Sequence, residues 1–402
     1  MKKNVPFSAE LRPSLEWLIN PVSKETFFNQ HWEKQPLVVR RGQPDYFAFL
    51  LSLDDVDHAI TTLNLNYPNI TLKNVDRDVR ASDYTARNGA LDVAAVYQLF
   101  HEGSTVVLAF LDTVIPSLTS VCRGLEKELC FPLQANAYLT PGRAQGAKYH
   151  YDTHDVFVLQ IAGSKRWTMY GTPVELPLSS QDFDPKVHER GAPSMDFVLS
   201  PGDLAYIPRG VVHDARSSDD LSLHITLGVL SYRWVDLLLE FVAEASLKDP
   251  AFRKSLPPGF AREAFDREQG QKMFEDLFRR LATNVDCEPM LRGFAEQWIS
   301  SCPPVLRGQM EQIALIEQIK IDSVLGARAG MVSRIEMEGA SATIYGFGRK
   351  ISFPAYAGEA IRFALEQSRF VVSMLPGELD ERGKLVLVRR LVREGLLAVL
   401  KV

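Results

Sequence analysis

Two stretches of period-two alternation constrain this chain more than anything else in it. Leu133, Ala135, Ala137 and Leu139 alternate with Gln134, Asn136, Tyr138 and Thr140; Leu221, Leu223, Ile225 and Leu227 alternate with Ser222, His224, Thr226 and Gly228. Alternation of this length is the pattern of a β-strand with one apolar face. The opposite face carries no charge in either stretch. A strand whose polar face met water would hold Lys and Glu there. Small neutral hydrogen-bonding side chains instead line a ligand cavity inside a barrel. Between the two stretches lies a hairpin, Val156–Ile161, turning at Gly163-Ser164 into Arg166–Tyr170, and strand resumes at Phe197–Leu199 and Leu204–Ile207. Short strands at close spacing, separated by Pro and Gly turns, predict a β-sandwich or a jelly-roll barrel.

The chemistry concentrates beside this hairpin, in Tyr149-His150-Tyr151-Asp152-Thr153-His154-Asp155. In an extended chain residues two apart share a face, so His150 and Asp152 aim an imidazole and a carboxylate at one point. A third ligand comes later. Pro201-Gly202-Asp203 and Pro208-Arg209-Gly210 are turns on either side of a strand, and a new strand opens with Val211-Val212-His213. Two histidines and a carboxylate with open coordination positions form the facial triad of non-haem Fe(II) oxygenases. A His-x-Asp alone arises by chance; here His213, the two polar-faced strands and Lys165 support it. Lys165 follows the hairpin turn, and this set of groups suits a ligand with two carboxylates, one chelating iron with its keto oxygen, the other pairing with the lysine. Taken alone, Lys165 reads as a solvated turn residue. His154 shares the His150 face and competes as a ligand. His224 lies on the cavity face, where it could support a ligand or touch substrate; His213 ranks above both. His58 reads as a surface or helix-packing residue. His188 sits in the polar loop of residues 172–200, a loop placed to cover the barrel mouth, and reads as solvent-exposed.

Before the strands the chain is helical cladding: residues 13–20 and 24–33, a helix capped by Ser52, then Leu91–His101 and Ile115–Cys130. After about Tyr232 helical stripes return with Leu237, Leu238, Phe241, Phe274, Phe278, Phe294 and Trp298. That is more large apolar surface than a few helices bury among themselves, so these helices are expected to join two chains; burial against the barrel is the competing explanation. The last portion has a strand pair at Met331–Met337 and Ala342–Phe347 and helices at Ala357–Gln367 and Lys384–Glu394, compatible with a winged helix. Residues 351–402 hold eight Lys/Arg against six Asp/Glu, a net of +2, which is not a nucleic-acid footprint. The whole chain of 402 residues carries a formal charge of -5, so no global electrostatic case exists for nucleic acid or an anionic membrane. Its four cysteines form no Cys-x-x-Cys pair and fit buried thiols of a reduced compartment. Met1–Phe7 has no signal-peptide apolar core and no apolar run approaches a membrane span, so a cytoplasmic location is expected.

The segments Asn136-Ala-Tyr-Leu-Thr-Pro, His150-Tyr-Asp, Val156-Phe-Val-Leu-Gln-Ile-Ala-Gly-Ser-Lys-Arg-Trp and Pro201-Gly-Asp-Leu-Ala-Tyr-Ile-Pro-Arg-Gly-Val-Val-His together resemble the Jumonji-C ribosomal oxygenases. The likeness extends forward to Leu18-Ile-Asn-Pro-Val-Ser and His31-Trp-Glu-Lys-Gln-Pro-Leu, and back to Phe353-Pro and Asp380-Glu-Arg-Gly-Lys-Leu-Val. It implies an α+β chain: a double-stranded β-helix (jelly-roll, cupin) oxygenase domain over residues 1–234, a helical dimerisation domain over 235–318 and a winged helix over 319–402. It implies a homodimeric, Fe(II)- and 2-oxoglutarate-dependent protein hydroxylase using O2. The target would be a histidine or arginine side chain of a ribosomal protein; another protein, a peptide natural product, or a non-catalytic metal-binding regulator are the alternatives. His150, Asp152 and His213 would hold iron, Lys165 the distal carboxylate of 2-oxoglutarate, and Asn136, Tyr138 and Thr226 would line its pocket. Without the long N-terminal extension of nuclear members, the chain looks like a compact bacterial one.

Overall fold

The structure is a computed structural model that describes residues 13–283 and 286–402. The N-terminal stretch Met1–Phe7, expected to lack a signal core, lies outside the described residues. The chain divides into two units, Met1–Ser231 and Tyr232–Val402.

Among the described residues of the first unit ten strands follow one another: β1 (Leu37–Val39), β2 (Ile70–Lys73), β3 (Thr105–Leu108), β4 (Leu133–Thr140), β5 (Asp155–Ala162), β6 (Lys165–Met169), β7 (Met195–Leu199), β8 (Leu204–Ile207), β9 (His213–Ser217) and β10 (Ser222–Val229). They form a seven-stranded sheet in the order β1-β8-β5-β10-β4-β3-β2 and a three-stranded sheet in the order β7-β6-β9, every neighbouring pair antiparallel. The hairpin between β5 and β6 sends the chain from one sheet to the other at Gly163, whose φ of +59° and approach to the Leu221 carbonyl leave no room for a Cβ. Two facing antiparallel sheets are the jelly-roll expected from the strand spacing.

The alternation in β4, β5 and β10 resolves into two different interiors. Ala135, Ala137, Phe157, Leu159, Leu223, Ile225 and Leu227 turn to the outer side of the large sheet, where they pack with Leu18, Phe27, Phe47, Leu118, Val121 and Leu125 of the helical cladding. Val156 and Val158 turn the other way and meet Trp167, Met169, Phe197 and Leu199 of the small sheet. The neutral face of β4 and β10 therefore points between the sheets, as its lack of charge predicts. Helix Pro116–Leu129 is locked to the start of β4 by polar groups: Arg123 reaches Asp112 at 3.2 Å and Glu126 at 2.6 Å, Asp112 accepts the Ala135 amide and Glu126 the Leu133 amide. Burial pushes the Glu126 carboxyl up to about 7 in spite of Arg123. The Ser52 cap is a reciprocal one with Asp55, at 3.1 and 2.8 Å.

The second unit begins with helices Trp234–Lys248, Arg267–Thr283 and Glu288–Ser301. Neither of the first two has a fully buried residue; Trp234 is 75% and Leu239 66% exposed, and Phe274 and Phe278 are each 57% exposed. Beyond them two small sheets replace the expected strand pair. The pair gains a third strand, Arg349–Pro354, and a second sheet is built from Phe370–Val371, Val324–Ala327 and Leu397–Lys401. With helices Gly358–Glu366 and Glu381–Arg393 they enclose a core of Leu325, Ile344, Ile361, Val388, Leu391 and Leu397. The extra strands are short and carry charged residues such as Arg349, Lys350 and Lys401, which hid them. Among the described residues no helix is long and apolar enough to cross a membrane.

Candidate metal centre

His150 and Asp152 do not sit inside a strand as the spacing suggested; they lie on the approach to β5. What holds them is a two-way backbone bridge in which the His150 amide donates to the His213 carbonyl at 3.1 Å and the His213 amide to the His150 carbonyl at 2.8 Å. The Gly210 amide donates to the Asp152 carbonyl at 3.0 Å. Asp152 thereby stands beside both imidazoles, its carboxylate 3.9 Å from His150 Nε2 and 3.7 Å from His213 Nε2. The three donors lie within 4.8 Å of one another.

The outer ring nitrogens decide what the inner ones can do. His150 Nδ1 lies 2.8 Å from the Lys148 carbonyl and His213 Nδ1 lies 3.0 Å from the Val211 carbonyl. A carbonyl only accepts, so both Nδ1 atoms carry the proton and both Nε2 atoms present a lone pair. Two imidazole lone pairs and a carboxylate then converge with no donor among them, a set that fits a divalent cation of the imidazole- and carboxylate-binding kind. Burial raises the Asp152 carboxyl, but the imidazoles of His213, His150 and His154 and the Lys73 ammonium outweigh it and hold the group below the ordinary carboxylate value. Burial and His150 keep His213 below the usual imidazole value.

These groups stand in a cavity of about 220 Å³ between the sheets. Tyr138 and Thr226 line it, as does Lys165, which the fold turns from a turn lysine into a buried one only 4% exposed. Its Nζ donates to Thr140 Oγ1 at 3.0 Å, and Thr105 Oγ1 donates to the same oxygen at 3.1 Å. Burial alone pushes the Lys165 ammonium down to about 7. Asn136 is not among the lining residues. Its Oδ1 accepts the Phe110 amide at 3.1 Å and the Gln134 amide group at 3.0 Å, while its side chain also reaches the Tyr138 hydroxyl.

The remaining histidines separate. His154 packs its ring against Gly228, where a Cβ would come within 2.8 Å, and is not part of the converging set. His224 is in the cavity wall, stacked on Tyr138 at 4.8 Å with the Trp167 ring edge-on at 5.5 Å. Burial, then Lys165, holds it well below the ordinary imidazole value, so it is neutral. His188 lies against Tyr151 and Phe183 with Nδ1 accepting the Asp184 amide, and His58 is exposed on its helix. Thr140, Thr105, Trp167 and Lys73 also line or support this cavity and were not singled out from sequence. Thr140 was within reach of that reasoning, since it is the last residue of the neutral face of β4.

Residues 113–237 match the JmjC domain. The bifunctional lysine-specific demethylase and histidyl-hydroxylase NO66 of Drosophila mojavensis is 34% identical over 254 residues, covering 60% of this chain and 28% of that protein. The protein of the same name from Drosophila simulans is 30% identical over 386 residues, covering 89% of this chain and 43% of that protein. The chain thus spans well under two thirds of the length of these relatives. Among solved structures, the ribosomal oxygenase YcfD from Escherichia coli in complex with cobalt and succinic acid matches with a TM-score of 0.55 at 18% identity, over 94% of this chain and 98% of that one. Its complex with cobalt and 2-oxoglutarate matches with a TM-score of 0.52. At such identity the likeness establishes a shared fold. From the geometry of the three donors, wild-type protein is expected to bind one equivalent of Co(II) in a calorimetric titration. Asp152→Ala should weaken that binding more than ~100-fold, beyond the loss typical of removing an outer hydrogen-bond partner.

Proposed function

We propose that the chain, which carries a JmjC domain, is an Fe(II)- and 2-oxoglutarate-dependent dioxygenase that hydroxylates a side chain of a ribosomal protein. The observation that carries this reading is one cavity with two unlike ends: three lone-pair donors converge at one, and a buried lysine with only a hydroxyl for company stands at the other. A keto acid with a distant second carboxylate is complementary to both.

In this reading His150, Asp152 and His213 hold the iron, and the Nδ1–H bonds to Lys148 and Val211 keep both rings turned inward. The metal, when bound, supplies activation of O2 coupled to the conversion of 2-oxoglutarate to succinate and CO2. Lys165 pairs with the distal carboxylate, with Thr140 fixing its ammonium. Tyr138 and Thr226 border the cosubstrate, and Asn136 acts through the Tyr138 hydroxyl beside it. His224, stacked on Tyr138, and the Trp167 ring edge-on to it wall the cavity against water. The relatives' names support histidine as target and that of the fold neighbour supports a ribosomal protein, with arginine the second candidate. Their double name makes removal of an N-methyl group, which starts from the same C–H hydroxylation, an outcome the same assay separates. In the second unit the exposed stripes of helices Trp234–Lys248 and Arg267–Thr283 serve a homodimer, residues 319–402 act as a winged helix without nucleic-acid binding, and the protein works in the cytoplasm.

Two measurements test the reaction and its substrate. Protein with Fe(II), ascorbate and 2-oxoglutarate should form succinate. Ribosomal proteins from cells lacking the gene should regain one oxygen on one histidine or arginine by mass spectrometry when treated with it; loss of a methylene would mean demethylation, and no change in any ribosomal protein would reject that substrate class.

Lys165→Ala should cost about 2–5 kcal/mol in cosubstrate binding and leave Co(II) binding nearly intact. The pH dependence follows from burial. Above pH 7 the free protein holds Lys165 largely neutral, and a bound carboxylate restores its charge, so binding takes up a proton. His224 and Tyr138, which face it, stay neutral through this window, the tyrosine being pushed up to about 12 by burial and Asp152. Affinity for 2-oxoglutarate should therefore fall by up to about tenfold per unit as pH rises above 7. Calorimetry at pH 8 in buffers of different ionisation heat reads the proton directly, and no uptake would reject the role of Lys165.

Light scattering at micromolar concentration should give a dimer, and Phe274→Asp with Phe278→Asp a monomer. A monomeric wild type would reject the assembly and leave the chemistry standing.

A further inference from the structure

Glu33 and Arg209, in the motifs Trp32-Glu33-Lys34 and Pro208-Arg209-Gly210, lie far apart in sequence, and neither side chain has a part in the chemistry above. The fold brings them together in a network next to the candidate metal centre, buried at Arg209 and Asp155 and half-buried at Glu33. Arg209 Nη1 lies 2.7 Å from Asp155 Oδ2 and 2.6 Å from Glu33 Oε1. The Tyr206 hydroxyl donates to Asp155 Oδ1 at 2.8 Å and accepts the Glu33 amide at 2.9 Å. The Arg209 side chain is 6% exposed and that of Asp155 0%. Glu33 adopts a left-handed backbone, φ +56°, a conformation that a non-glycine residue keeps only when its surroundings hold it.

The next four residues make most of the backbone contacts that orient the candidate ligands. The amide of Gly210 holds the Asp152 carbonyl, the carbonyl of Val211 receives the His213 Nδ1 proton, and His213 forms the two-way bridge with His150. Asp155, at the other pole of Arg209, begins β5 three residues after Asp152. Arg209 is thus tied to both strands that enter the site. Burying such charges does little for stability in itself, since an apolar replacement of similar volume is often as stable, so the network is better explained by the geometry it imposes.

We propose that Arg209 is a positioning residue for the metal centre: anchored by Asp155 and Glu33, it fixes the turn that sets where Asp152, His150 and His213 stand. The N-terminal element carrying Glu33 is then part of the site's support rather than cladding. This inference rests on the metal-binding reading of the three ligands, and the test separates the two.

Co(II) is titrated into wild type, Arg209→Met, Arg209→Lys and Glu33→Gln, following the visible absorption bands, which report coordination geometry, alongside thermal melts by circular dichroism. Arg209→Met should weaken Co(II) binding 10–100-fold and alter the band pattern; its melt should fall as well, because Asp155 is left buried without its cation, so the bands are recorded well below the melt. Arg209→Lys should recover part of the affinity, because the charge survives while the reach and planar geometry of the guanidinium do not. Glu33→Gln, the milder change, should lose affinity to a smaller extent. Wild-type affinity and spectrum in both Arg209→Met and Glu33→Gln would overturn the proposal. Were Arg209→Met to fail to fold, Glu33→Gln and Arg209→Lys decide it by the same two readouts. A wild type that binds no Co(II) would instead reject the metal reading itself.

Discussion

The site rests on a single pair of backbone hydrogen bonds, the two between His150 and His213. Facing residues that exchange both hydrogen bonds sit at a fixed separation with their side chains on the same side of the sheet. Two imidazoles are thereby made neighbours, their centroids 4.8 Å apart, although sixty-odd residues of chain separate them. The outer ring nitrogens are then satisfied by carbonyls of residues two positions upstream, Lys148 and Val211, so the same local geometry is used twice. Each histidine brings its own tautomer-setting acceptor. Asp152 needs only the Gly210 amide to complete the arrangement.

The second constraint is dielectric. The large sheet separates an apolar side, packed with helices, from a side that faces the small sheet and holds neutral donors and acceptors. A charge in that interior is expensive unless something meets it. Asp152 is met by imidazoles and Lys73, and Lys165 by nothing charged among the described residues. Its lowered pKa and its bond to Thr140 express one fact: the protein has placed an amine where only an anion from outside can keep it charged. His224 shows the converse, a ring kept neutral by burial and by the lysine near it. The cavity therefore has a charge demand at one end only, apart from the three converging donors.

What could be read from the sequence follows from range and period. The neutral face of β4 and β10 was legible because alternation is local, and it indicated the cavity before any ligand was named. His150 and Asp152 were legible as a pair from their spacing, and His213 from the double turn before it, even though the first two lie outside a regular strand. Lys165 was visible as a cation near a hairpin, but its burial was not, because burial depends on Thr140 and Thr105 reaching across from other strands. The third strand at Arg349–Pro354 was lost because its outward residues, Arg349, Lys350 and Ser352, masked the inward Ile351 and Phe353. The ionic network was wholly out of reach. Glu33 and Arg209 are 176 positions apart, and nothing local in Pro208-Arg209-Gly210 marks the arginine as buried.

That network also explains why the front of the chain belongs with the strands. An edge strand such as β1, only three residues long, gives β8 few hydrogen bonds and little apolar area of its own. Its neighbourhood is instead secured from outside the sheet. Phe27 meets Tyr206 edge-on at 4.9 Å, Trp32 stacks on Tyr206 at 5.9 Å, and Glu33 closes over the same tyrosine with its amide. The Asp203 carboxylate takes the Arg41 amide at 2.9 Å on the far side. Tyr206 is therefore the joint between the aromatic packing of the N-terminal element and the hydrogen bonds that run through Asp155 to Arg209. Packing energy collected from large aromatic rings holds the strand, and directional bonds from one hydroxyl pass its position on to the turn that carries His213. Cladding that only covered a hydrophobic face would need the rings and not the charges; here both arrive on one five-residue stretch of the front segment, from Phe27 to His31, and its immediate continuation to Glu33.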